Sequence, residues 1–173
     1  MIEIRKMEQT GSHIPPLPNG SDQNQMPLSR NSSQNITRVK QYGSATELLR
    51  RFNPQAQLKA IDKELQMFKS ERFPSLSDVR VVHGMEIIID WLIIQIDDAL
   101  NSSGVTTMKA RTEQITDLAH AIFRKYPYLT LPEMLLFFFK FKNGDFGDFN
   151  GIFNQQRFMK TFAGFKKYRA AMQ

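Results

Sequence analysis

Between Val79 and Leu100 the chain carries Val79, Val82, Met85, Ile87, Ile88, Ile89, Trp91, Leu92, Ile93 and Ile96. These residues leave almost no polar sector on a helical wheel, and a helix that is apolar around most of its circumference belongs at the centre of a packed domain. Ser77 or Asp78 is in place to cap such a helix, and Asn101-Ser102-Ser103-Gly104 reads as the turn that closes it. Its longest apolar run, Ile87 to Ile96, is broken by Asp90. The run spans about ten residues, half of the roughly 20 that a bilayer-crossing helix needs, so no transmembrane segment is expected.

The elements around it follow from local signals. Ser44 and Glu47 have capping-box spacing ahead of Leu48, Leu49 and Phe52. Asn53-Pro54 offers a cap with proline at the first helical position, followed by Leu58, Ile61, Leu65 and Phe68 as a buried stripe ending at Phe73-Pro74. Met108, Ile115, Leu118, Ala119 and Ile122 align on a helix from about Thr107 to Lys125, which Pro127 stops. Thr130-Leu131-Pro132-Glu133 is the strongest local signal, a second capping box with proline in the first turn. The apolar stretch Met134 to Phe141 follows, with Asn143-Gly144 as its stop. A last helix begins near Asn154. The prediction is an all-α fold, a single helical domain of about five or six helices over residues 44–173, with the Val79–Leu100 helix near its centre.

Residues 1–43 differ in kind. From Gln9 to Gly43 the chain is dominated by Ser, Asn, Gln, Pro and Gly, without a sustained period. Such a segment cannot bury enough surface to offset its ordering entropy, so it reads as a disordered N-terminal arm. Ile14-Pro15-Pro16-Leu17-Pro18 has the composition of a polyproline II ligand, although a linker accounts for it as well. Glu3, Arg5, Lys6 and Glu8 stand where a secretory signal would be apolar, and the chain has no cysteine, so a cytoplasmic setting is expected.

The chemistry-bearing patterns are few. His83, Glu86, Asp90 and Asp97 share a narrow sector of the central helix, but no second histidine-rich segment completes a metal-ligand set, and the sector reads as a solvent stripe. The loop Asp145 to Gly151 fails calcium-loop spacing, because Gly147 and Phe149 occupy ligand positions. Gly144, Gly147 and Gly151 match neither a dinucleotide fingerprint nor a phosphate loop; they read as turn positions that let Phe146, Phe149 and Phe153 pack back on the core. No nucleophile stands in a recognisable motif, so no enzyme, cofactor or metal is predicted.

Charge supplies the functional expectation. The net charge of +6 favours acidic partners. Residues 153–173 contain Arg157, Lys160, Lys166, Lys167 and Arg169 without one Asp or Glu. Together with Lys140 and Lys142 these are the candidate nucleic-acid phosphate contacts, which would bind DNA or RNA without choosing sequence. Phe158, Phe162, Phe165 and Met172 form the apolar face of the same helix, with Lys166 and Arg169 beside it, so the basic surface is spread rather than a clean stripe.

From Tyr126 onward the chain resembles a group of uncharacterised helical proteins of Bacteroidota phages and mobile elements. The resemblance lies in Tyr128-Leu129-Thr130-Leu131 with Glu133, Phe137-Phe138 with Phe141-Lys142, Gly144, Phe146-Gly147, Phe149 and Gly151. The chain departs from that pattern in having Asp145 and Asp148 in the loop and no acidic residue directly after Gly151. The resemblance covers about a quarter of the chain and implies a mobile-element context without a particular activity. Two functions follow. One is a non-enzymatic accessory protein of phage or mobile-element DNA metabolism that binds nucleic acid through the basic C-terminal helix. The other is an interaction or virion-associated structural protein that uses the arm and an apolar helix face to meet another protein or itself.

Overall fold

The computed structural model describes residues 30–61, 73–103, 111–147 and 151–172, with side chains described from Ser33 onward except that of Ile61. The protein is all-α: among the described residues there are eight α-helices and no strand. They are α1 (Arg30–Lys40), α2 (Ala45–Arg51), α3 (Gln57–Ile61), α4 (Leu76–His83), α5 (Met85–Ser102), α6 (Thr112–Lys125), α7 (Leu131–Lys142) and α8 (Gln155–Met172), with a 3₁₀ turn at Pro54–Ala56 leading into α3. The polyproline-type cluster Ile14 to Pro18 lies outside the described residues.

Two differences from the sequence expectation raise the count above the five or six expected. The first is α1, which puts helical structure ahead of the boundary expected at residue 44. Its sequence is polar and lacks a sustained apolar period, yet Val39 is fully buried and the helix lies against α4. Short helices of this kind owe their stability to tertiary packing rather than to propensity. The second is Gly84, which splits the expected Val79–Leu100 helix into α4 and α5 with φ 93° and ψ 168°. That region of backbone space is essentially closed to residues with a Cβ, which is why a glycine stands at the junction. Space around Gly84 is open, so Gly84→Ala is expected to cost about 2 kcal/mol through the backbone alone, read as a lower urea midpoint at unchanged slope. A neutral result would mean that α4 and α5 can run on as one helix.

Local capping decides most helix starts. Ser44 Oγ accepts from the Glu47 N–H while the Glu47 carboxylate accepts from the Ser44 N–H at 2.7 Å. The bond from the Ser44 N–H first, and then the one its hydroxyl donates to the same carboxylate at 3.0 Å, hold the Glu47 carboxyl below its ordinary pKa. Helix α4 is capped by Ser75, with Asp78 returning the bond at 2.8 Å. Asp78 is thus the acidic partner of a capping box whose serine lies upstream of Ser77, and not itself the cap. Thr130 and Glu133 form the third box at the start of α7. The caps of α4 and α7 lie side by side: Ser75 and Thr130 form an antiparallel bridge, and the Leu76 and Leu131 amides donate to the carbonyls of Leu129 and Pro74. Two helix starts are thereby tied into one corner.

The interior sits around α7, which is buried at every position from Leu131 to Phe138 and packs against α3, α5 and α8. Helix α5 packs against α4, α6 and α7, and keeps Glu86, Asp90, Ile94 and Asp97 exposed. The centre expected at the Val79–Leu100 helix is therefore shared, and α7 is the more enclosed member. Phenylalanines join α7 to α8. Phe137 stacks on Phe162 with centroids 3.8 Å apart, and its ring also meets Phe138, Phe141, Phe146, Phe158 and Phe165. Gly164 exposes the cost of this packing, since a Cβ there would lie 2.9 Å from a ring carbon of Phe146. A mid-helix glycine, unfavourable by about 1 kcal/mol relative to alanine, lets the loop phenylalanine seat.

The stripe expected on the second helix is only partly realised. Leu58 is exposed, whereas Gln57 and Ala60 are buried; Leu65 and Phe68 lie outside the described residues. Gln57 is buried because it completes a polar layer: its Nε2 donates to Gln95 Oε1 at 2.8 Å, and Gln95 Nε2 donates to the Phe52 carbonyl at 2.9 Å. Trp91 Nε1 donates to that same carbonyl at 2.7 Å. The C-terminal end of α2 is thus held by two side chains of α5, a use of Trp91 and Gln95 that hydropathy alone does not reveal.

Candidate nucleic-acid interface

Helix α8 begins where Asn154 Oδ1 accepts from the Arg157 N–H at 2.8 Å. Phe158, Phe162 and Phe165 are fully buried against the core, which fixes the rotation of the helix about its axis. That rotation turns Lys160, Ala163 and Lys167, spaced by three and four positions, onto one exposed ridge. Arg157 and Lys166 are exposed on the flanks. Ala163 and Ala170, also exposed, are small enough to leave the lysines as the highest points of that surface. Lys160, Lys166 and Lys167 have no carboxylate within ion-pair distance among the described residues.

The other three candidates are turned to internal tasks. Lys140 Nζ lies 3.3 Å from an Asp145 oxygen and 4.4 Å from the Tyr168 ring centroid, pinning the turn after α7 to the end of α8. Lys142 Nζ lies 2.8 Å from Asp98 Oδ2, at the edge of the Gln57–Gln95 layer. Arg169 Nε donates to the buried Glu133 Oε1 at 2.6 Å. The other oxygen of Glu133 accepts from the Thr130 N–H at 2.8 Å, so one carboxylate both caps α7 and anchors α8. Of the seven predicted cations, four are exposed on α8, while Lys140, Lys142 and Arg169 hold the ion pairs just described. The sequence placed Arg169 beside the apolar sector of the helix, but it placed Lys166 there too, which is exposed; the acidic partners of Arg169 and Lys142 lie 36 and 44 positions away.

The stripe of His83, Glu86, Asp90 and Asp97 is divided between two helices, with the carboxylates exposed and His83 half-buried. Gly84 places His83 on α4 and the three carboxylates on α5. Among the described residues no group of three or more His, Asp or Glu side chains could hold a metal ion. The loop phenylalanine expected to pack back does so: Phe146 lies parallel to Phe137 at 6.1 Å, and Phe153 packs against the core. Gly144, Gly147 and Gly151 all have positive φ, as turn positions that favour glycine. Phe149 lies outside the described residues.

At the far side of the same helix, Tyr126 stacks on Phe162 at 4.6 Å and closes the end of α6 over α8. Burial, and then the neighbouring Tyr128, raise the Tyr126 phenol above its ordinary pKa. Among the described residues no helix is long and apolar enough to cross a membrane. Comparisons with protein-family models, with curated proteins and with solved structures give no match.

Proposed function

We propose that this chain is a non-enzymatic accessory protein of phage or mobile-element DNA metabolism, working in the host cytoplasm, that binds nucleic acid without sequence preference through α8. The observation that carries this reading is the exposed ridge of Lys160 and Lys167 flanked by Arg157 and Lys166, on a segment with no acidic residue from 153 to 173. Lysines so placed neutralise phosphates and release counterions, and they present no planar fork to a base edge. The resemblance of the region from Tyr126 onward to helical proteins of Bacteroidota phages and mobile elements supports the setting.

The test is binding to single- and double-stranded DNA across a salt series. The wild-type protein is expected to bind at low salt and to lose affinity steeply as salt rises. The Lys160→Ala/Lys167→Ala variant should lower the slope of log K against log salt by about two, close to 0.9 per phosphate contact on duplex. Lys142→Ala should leave that slope unchanged, because Lys142 is committed to Asp98. Absence of binding at low salt removes the reading and leaves an interaction or virion-associated role, for which Leu58 on α3, Val81 on α4 and Ile94 on α5 are among the exposed apolar positions.

A further inference from the structure

A second cationic feature lies away from the residues of α8, in a cleft of about 500 Å³ between the outer turn of α4, the start of α5 and the C-terminal half of α6. Its volume falls within the range of small-molecule sites. Ser77 and Arg80, three apart on α4, share a face; His120 and Arg124, four apart on α6, share another. The two faces converge on this cleft. The Arg80 guanidinium stands over the Phe123 ring, 5.8 Å from its centroid. Phe123, Met85 and Pro127 supply the apolar part of the wall.

The electrostatic setting is unlike that of Lys140, Lys142 and Arg169. Among the described residues no carboxylate lines the cleft. Asp78, the acidic residue nearest in sequence to Ser77 and Arg80, is occupied at home, accepting from the Ser75 N–H at 2.8 Å and from its hydroxyl at 2.7 Å. Neither Arg80 nor Arg124 has an ion-pair partner among the described residues. Two guanidinium groups match the charge of a phosphate monoester, close to −2 at neutral pH, and their forked donors suit its oxygens. The Ser77 hydroxyl and the His120 ring add further hydrogen-bonding groups in the same wall. An anion alone would leave Phe123, Met85 and Pro127 unused.

We infer that the cleft between α4 and α6 is a binding site for a small phosphate monoester carrying a flat apolar group, with Arg80 and Arg124 on the phosphate and Phe123, Met85 and Pro127 against the remainder. The site uses none of the α8 cations, so it stands whether or not α8 binds nucleic acid.

The experiment is calorimetric titration of the full chain with phenyl phosphate, inorganic phosphate and phenol, with the His120 ring and Ser77 amide resonances followed in parallel. Phenyl phosphate is expected to saturate at sub-millimolar to millimolar concentration, about fivefold more tightly than inorganic phosphate, and to shift both resonances. Arg80→Gln/Arg124→Gln should weaken it by about tenfold or more, the loss expected when charge-assisted bonds go. Both arginines are exposed, so this variant keeps its fold, which an unchanged far-ultraviolet circular dichroism spectrum verifies. Lys160→Ala/Lys167→Ala should bind phenyl phosphate like wild type. The inference is overturned by no saturation up to about 10 mM, by equal affinity for inorganic phosphate, or by unchanged affinity in the folded double arginine variant.

Discussion

Phe137→Ala is expected to cost about 4 kcal/mol of folding stability. Phe137 is fully buried, and its ring meets six other phenylalanines contributed by α7, α8 and the loop between them. Truncation removes the transfer free energy of the ring and opens a cavity that neighbouring aromatics cannot fill without leaving their own contacts. The measurement is a urea unfolding series, in which the midpoint falls while the slope holds. Phe137→Leu should recover about half of the loss, because it keeps most of the volume without the ring. A loss below about 1 kcal/mol for the alanine variant would show that α8 is not docked on α7 in solution.

Arg169→Met should be nearly as damaging, lowering stability by about 3 kcal/mol. The reason is what it leaves behind. Glu133 is 2% exposed, and without the guanidinium its carboxylate stays buried with only the Thr130 amide and hydroxyl as partners. Removing one partner of a buried ion pair costs more than removing both, since the survivor keeps its desolvation penalty. Glu133→Gln/Arg169→Met should therefore be more stable than the sum of its single variants by about 1 kcal/mol or more. Thermal unfolding of the four proteins closes the cycle, and strict additivity would sink the claim that the pair acts as a unit. DNA affinity offers an independent check below the unfolding temperature. A residue held on Glu133 changes stability without changing the salt slope, in contrast to Lys160 and Lys167.

Some of this was legible before any coordinates. The capping boxes at Ser44 and Thr130 are local chemistry, complete within four residues, and both start helices where expected. Ile115, Leu118, Ala119 and Ile122 are buried together, because a period of 3.6 records one face of a helix whatever that face meets. Gly84 was hidden because α4 and α5 each continue the apolar pattern across it, so periodicity reads through the break. Helix α1 was hidden for the opposite reason: it has too little pattern of its own and depends on α4 for its burial.

The feature that most constrained the chain, its apolar stretch from Val79 to Leu100, settled the all-α class and the existence of a buried middle. Hydrophobic burial is non-directional and needs only the right side chains at the right period, which a sequence carries in full. Which cations face water was decided elsewhere. Lys142 meets Asp98 and Arg169 meets Glu133 only because α5, α7 and α8 pack together, and the rotation of α8 that exposes Lys160 and Lys167 is set by the phenylalanines it buries on α7. These two pairings act over a few ångströms between residues remote in the chain, so tertiary structure assigned Lys142 and Arg169 to the fold.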